Sequence, residues 1–100
     1  MEARLAKGVK HEFDEAVLWY QEADPGLVKA FRAETLRILA EIGSHPSRWP
    51  KVSPRVRRCL YHRRFPYAML YQVRKDHILI MSIMHTSRRP GYWKTRVAKK

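Results

Sequence analysis

The apolar residues of this chain recur with one period before residue 44 and with another after residue 54. In the first stretch Phe13, Ala16, Val17 and Tyr20 fall at i, i+3, i+4 and i+7, one face of a helix. Glu12, Glu15 and Glu22 lie mostly off that stripe and are expected to face solvent. Asp24-Pro25-Gly26 interrupts the pattern. Asp24 suits an N-cap, and Pro25 suits the first helical position, where its missing N–H costs nothing. A second stripe follows at Leu27, Phe31, Ile38 and Ile42, with Val28 and Leu39 beside it. Gly43 is the expected left-handed stop, and Pro46 prevents continuation. The two segments predict a helical hairpin over about residues 10–43, its second arm some 27 Å long at helical rise.

Ser44 to Pro54 reads as a loop, with Pro46, Pro50 and Pro54 around Trp49. Beyond it the period becomes 2. Val56 to Leu60 is a short strand candidate. In Tyr67 to Val73, positions Tyr67, Met69, Tyr71 and Val73 share one face, and Ala68, Leu70 and Gln72 the other. Arg74-Lys75-Asp76-His77 makes a polar turn, and Ile78 to Met84 is almost wholly apolar, as in a strand covered on both sides. Consecutive strands with short polar links predict an antiparallel meander over about residues 55–86. The fold class is therefore α+β: one domain over residues 1–100, with a helical hairpin on one face of a small antiparallel sheet and a basic tail at 87–100.

Charge is distributed as unevenly as periodicity. The formal net charge is +12, yet residues 1–50 hold 7 basic and 8 acidic side chains, and residues 51–100 hold 14 basic and 1 acidic, a net of +13. An excess confined to one half of a domain points to a polyanion or an acidic protein as partner. The expectation is that the helices carry the acids, while the sheet's other face and its loops carry the arginines. No apolar run approaches the 18 or so residues needed to cross a bilayer, so no membrane partner is expected. The single cysteine, Cys59, rules out an internal disulfide and suits a reducing, cytoplasmic setting.

The basic residues form three groups: Lys51, Arg55, Arg57 and Arg58; Arg63 and Arg64; and Arg88, Arg89, Lys94 and Arg96. Arginine grips phosphate or carboxylate bidentately, and the interleaved Tyr61, Tyr67, Tyr92 and Trp93 offer stacking surfaces. A basic face that only confers solubility is the simpler alternative. His85 shares strand parity with Leu79, Met81 and Ile83. It could act as a general acid or base, or be a strand-end histidine held by a backbone group. Cys59 and His62 have C-x-x-H spacing, but zinc needs a second pair and none follows, so no metal or cofactor is expected and Cys59 reads as a buried strand residue. Asp76 is the only acid after position 50, which excludes two-carboxylate chemistry there. Trp19, Tyr20 and Trp49 read most simply as packing residues.

Four segments carry a family likeness: Ala16 to Phe31 (AVLWYQEADPGLVKAF), Ile42 to Pro50 (IGSHPSRWP), Arg63 to Tyr71 (RRFPYAMLY) and His85 to Arg96 (HTSRRPGYWKTR). Together they resemble the RelE/ParE superfamily of type II toxin–antitoxin toxins, particularly its ParE-like plasmid-stabilisation members, from about residue 12 to residue 96. The resemblance implies a helical hairpin on a twisted antiparallel sheet and a cognate antitoxin that wraps the toxin with an acidic or amphipathic segment. Members act in two ways. RelE-like toxins cut mRNA in the ribosomal A site, and ParE-like toxins inhibit DNA gyrase without covalent chemistry.

The nucleases commonly carry an arginine three residues before the tyrosine of the central strand. Here Ala68 stands at that place, which favours the ParE-like reading: a growth-inhibiting toxin acting on gyrase. In the alternative, a ribosome-dependent endonuclease, the catalytic candidates are Arg58, Arg64, His85, Arg88 and Tyr92. Target or antitoxin binding falls to Lys51, Arg55, Arg57, Arg58, Arg63, Arg64, Arg88, Arg89, Tyr92, Trp93, Lys94 and Arg96. A third reading is a basic binding module without toxicity. Family members usually begin with an edge strand, whereas Met1 to Val9 (MEARLAKGV) is short and rich in Ala and Lys. The strand is degenerate, or the first helix starts early, or the true start lies upstream. A missing strand would leave a sheet edge open to a homodimer or to the antitoxin in a hetero-oligomer.

Overall fold

The change of period at the proline loop is the boundary between helices and sheet. A computed structural model of the chain describes residues 1–87. Strand β1 (Ala3–Leu5) leads into helix α1 (Val9–Ala23), a single 3-10 turn (Pro25–Leu27) and helix α2 (Val28–Ser44). Strands β2 (Lys51–Ser53), β3 (Val56–Leu60), β4 (Tyr67–Val73) and β5 (Ile78–His85) follow. The expected α+β architecture is present: two helices packed on a five-stranded sheet of order β1-β5-β4-β3-β2.

The sheet is mixed rather than wholly antiparallel. Strands β2 to β5 form the expected antiparallel run, but β1 lies parallel to β5, with Ala3 beside Ile78 and Leu5 beside Ile80. The degenerate edge strand therefore exists. Its cohesion is in the backbone, where Ile78 N–H donates to the Glu2 carbonyl at 2.8 Å and Ala6 N–H to the Ile80 carbonyl at 2.9 Å. Arg4 and Leu5 are exposed, so no apolar alternation announces it. The loop expected over Ser44 to Pro54 likewise contains β2, a three-residue edge strand with an irregular register against β3.

Gly8 has φ 90° between β1 and α1, a backbone region that β-carbons disfavour. Gly43 is not the expected left-handed stop. It lies within the last turn of α2, where a β-carbon would stand 2.9 Å from the Met1 carbonyl oxygen. The helix ends instead at Ser44, with His45 as its C-cap and Pro46 next. Pro25 takes the first position of its 3-10 turn as expected, but the Asp24 side chain makes no capping bond; its backbone carbonyl accepts the Leu27 N–H at 2.9 Å.

The main core lies between the helices and the inner face of the sheet. The ring of Phe31, fully buried, has five aromatic neighbours with centroids 5.2–5.8 Å away: Phe13, Tyr20, Tyr61, Phe65 and Tyr67. Thr35 completes the buried stripe of α2, although a hydrophobic pattern passes over it. Its hydroxyl oxygen lies 3.0 Å from the Phe31 carbonyl and 2.7 Å from the Tyr61 hydroxyl, and burial pushes the pKa of that phenol well above the tyrosine norm. On the outer face, Val56, Ala68, Leu70 and Met81 form a second, smaller cluster. Among the described residues that face is therefore largely apolar, with the exposed Arg58 upon it, and the loops rather than the face carry Arg55, Arg63 and Arg64.

Glu34 of α2 ties the helix to the β3–β4 loop. Its carboxylate takes two N–H groups of Arg37 at 2.8 and 3.0 Å and the backbone N–H of His62 at 2.8 Å. The hydrogen bonds from Arg37, helped by that from His62, outweigh burial and hold the carboxyl below its ordinary pKa. An unfolded chain then takes up the proton first, so this stabilisation is complete above the ordinary pKa and is lost as pH falls through the depressed folded value. Glu34→Gln is expected to cost about 1–3 kcal/mol at neutral pH. Urea unfolding at pH 7 and at pH 3 checks this, since the difference from wild type must shrink at the lower pH; an equal gap at both contradicts it.

Candidate functional site

A groove of about 760 Å³ runs between α1 and the carboxy-terminal half of β5. Its form follows from one additional residue in β5. Leu70 pairs with Ser82 but the next residue, Tyr71, pairs with Ile80, so β5 carries a bulge at Met81. Strand parity reverses across it. Ile78, Ile80 and Ile83 belong to the helix-facing core, whereas Leu79, Met81 and Met84 belong to the outer cluster. His85 therefore departs from the expected grouping with Leu79 and Met81. It lies with Ile83 on the helix side and meets the Tyr67 ring edge-on at 5.2 Å.

Glu12 sits beside this bulge and does not face solvent as expected. Its carboxylate accepts the Ser82 hydroxyl at 3.1 Å from each oxygen and the Ile83 N–H at 3.0 Å, joining α1 to β5. At the strand end, the Nδ1 atom of His85 accepts the Ser87 N–H at 3.1 Å and lies 2.8 Å from the Ser87 hydroxyl oxygen. An accepting Nδ1 places the proton of the neutral ring on Nε2. The partner is thus a backbone N–H and a hydroxyl.

Leu18 and Trp19 of α1 flank the groove with 55% and 59% of their surfaces exposed. Trp19 is consequently not the packing residue expected, and its ring meets Tyr20 edge-on at 5.1 Å. Tyr20 is buried, and desolvation, with Tyr67 beside it, raises its phenol pKa. Trp49 packs half-buried against the core, 5.3 Å from the Arg48 guanidinium. Arg64 lines the groove from the β3–β4 loop, its guanidinium 5.0 Å from the Phe65 ring centre. Glu15, Glu22 and Asp24 complete the lining. The groove thus offers apolar area with charges of both signs, suited to an amphipathic polypeptide segment.

The basic residues do not form one patch. Lys51, Arg55 and Arg57 meet Arg74 and Lys75 around a separate hollow of about 590 Å³. Arg74 and Lys75 read from sequence only as a turn. Antiparallel pairing of Arg57 with Tyr71 is what brings the end of β4 beside the start of β3. Arg57 points to the helix side and donates to the carbonyls of Trp49 at 2.7 Å and Ser47 at 3.3 Å, fixing the proline loop. Its neighbour Arg58 takes the outer face and is exposed, as is Arg63 in the β3–β4 loop. Arg88, Arg89, Tyr92, Trp93, Lys94 and Arg96 lie outside the described residues.

Of the described catalytic candidates, Arg64 and His85 line one groove, and Arg58 lies across the sheet from them. Ala68 is 2% exposed and packs with Val56, Leu70 and Met81, so the place of a nuclease arginine is an apolar cluster. Among the described residues no group of three or more His, Cys, Asp or Glu is placed to hold a metal ion, and no helix is long and apolar enough to cross a membrane.

Compared with known proteins, the sequence matches over residues 3–90 the family model described as the ParE toxin of type II toxin-antitoxin system, parDE. Among curated proteins, none matches it.

Cys59 and His62 do not act together: Cys59 faces the core and His62 is exposed. Burial pushes the Cys59 thiol up to about 11, and Arg37 offsets this only in part. Since the thiolate is the reactive form, an aromatic disulfide reagent at pH 8 is expected to label Cys59 at least 100 times more slowly than a free thiol, a rough estimate from its thiolate fraction and burial. Rapid labelling of the folded protein, before any urea is added, contradicts this placement.

Proposed function

Because the chain belongs to the ParE toxin family of type II toxin–antitoxin systems, we propose that it inhibits DNA gyrase by binding, without covalent chemistry, and is neutralised by a cognate antitoxin. The observation that carries the non-nuclease reading is the apolar cluster around Ala68. A phosphodiester transition state needs cations where charge develops, and burying one at that position without a partner would be costly. The exposed Lys51, Arg55, Arg58 and Arg63 remain available to the target.

The groove beside α1 is our candidate for the antitoxin. A segment with an apolar stripe covers Leu18 and Trp19, and an acidic side chain on it reaches Arg64. One observation favours the second reading, a ribosome-dependent endonuclease: Arg64 and His85 share that groove. As an imidazolium, His85 could then protonate a leaving oxygen and become the neutral ring.

Gyrase supercoiling assays separate the two. Inhibition at near-stoichiometric toxin, retained by His85→Ala, is expected; unaffected supercoiling with an immediate stop in methionine incorporation would favour the nuclease. For the antitoxin, Trp19→Ala should weaken binding by about 2 kcal/mol, some 30-fold, as for a central aromatic anchor. Toxicity of the lone toxin should persist. Titration of the purified pair reads this, and unchanged affinity places the antitoxin elsewhere.

A further inference from the structure

We propose that the hollow between the β2–β3 turn and the β4–β5 turn is a binding site for a phosphoryl oxyanion carrying several negative charges. This goes beyond gyrase inhibition and holds whichever target the toxin acts on. Five cationic side chains, Lys51, Arg55, Arg57, Arg74 and Lys75, line the hollow, and its lining includes no Asp or Glu. Among the described residues none of the five forms an ion pair with a carboxylate. Asp76, next in sequence, is engaged by His77 at 2.7 Å. Gathering like charges without a counter-ion opposes folding, and an anion in the hollow relieves that repulsion.

Gln72 supplies an independent observation. It lines the same hollow and is 3% exposed. Its Oε1 accepts the Arg74 Nε–H at 2.8 Å, which fixes the amide orientation and leaves Nε2 as the donor. That Nε2 is buried and has no hydrogen-bond partner among the described residues. Buried donors are almost always satisfied, and an orphan calls for an absent acceptor. Nε2 has no exposed surface in the unliganded protein, so it gains its acceptor when the amide turns toward an oxyanion seated among the five cations.

The chemistry of the cations narrows the ligand. Three of the five are arginines, whose planar forks match phosphoryl oxygens. Arg57 is already held by the Trp49 carbonyl at 2.7 Å, so little order is lost when it binds. A volume of about 590 Å³ exceeds what a single phosphate fills. A chain of two or three phosphates, free or in a nucleic-acid strand, matches both the space and the charge.

Calorimetric titration with tripolyphosphate at fixed ionic strength tests the site. Saturable one-to-one binding is expected, weakened about tenfold or more by Arg55→Gln or Arg74→Gln, each of which removes charge-assisted hydrogen bonds. Lys29→Gln, on an exposed turn of α2, should leave it unchanged. Gln72→Leu should weaken binding while leaving the thermal midpoint of the unliganded protein equal or higher. A single-stranded thymidine hexanucleotide that displaces tripolyphosphate identifies a nucleic-acid backbone as the source, and failure to displace identifies a small polyphosphate. Non-saturable heat, or equal losses in Lys29→Gln and Arg74→Gln, overturns the site. So does a Gln72→Leu protein that melts lower yet binds as wild type.

Discussion

The ring of Phe31 is the point on which the separate elements agree. It lies on α2, yet its aromatic neighbours come from α1, from both ends of the β3–β4 loop and from β4. Truncating a buried phenylalanine costs about 3–5 kcal/mol, a large part of the 5–15 kcal/mol that stabilises a typical domain. The same cluster orders the loop that presents Arg63 and Arg64. Tyr61 and Phe65 are buried in it, and backbone bonds from Tyr61 to Tyr67 and from Phe65 to His62 close the turn. A charged loop is thus set on an aromatic base, with its cations held outward.

Much of this architecture was legible in the sequence because it rests on local periodicity. The stripes of α1 and α2 and the alternation of β3 and β4 are properties of neighbouring residues. What escaped notice depends on contacts between distant parts of the chain. β1 and β2 are three-residue edge strands whose cohesion is mainly backbone pairing, and pairing has no composition. Glu12 looks like any solvent-facing helical glutamate until β5 offers it a hydroxyl and an N–H. Thr35 is a core residue with a polar side chain, satisfied by Tyr61 across 26 residues.

The candidate site was legible as a set of residue types and not as a surface. Arg57 and Arg58 are adjacent in sequence, but alternation sends one to the helix side and the other to the outer face. The surplus of basic charge accordingly divides into a hollow, an outer-face residue and a loop. Arg74 and Lys75, which complete the hollow, become relevant only once the register of β3 against β4 is known. The exposure of Trp19 could not be read from helical spacing alone. Tryptophan adjoins a buried stripe as readily as it belongs to one, and only packing decides.

The bulge at Met81 has a consequence for how such a surface can change. Because side-chain direction along a strand is binary, the additional residue exchanges odd for even numbering on each face beyond it, while the bulge keeps the pairing with β4 intact. The lining of the groove at Ile83 and His85 is therefore set by their pairing with Met69 and Tyr67 of β4 and not by counting along β5. Deleting Met81 would restore simple alternation in β5 and leave Ile83 and His85 on the helix side, so the strand could be regularised there without altering what the groove presents to its occupant.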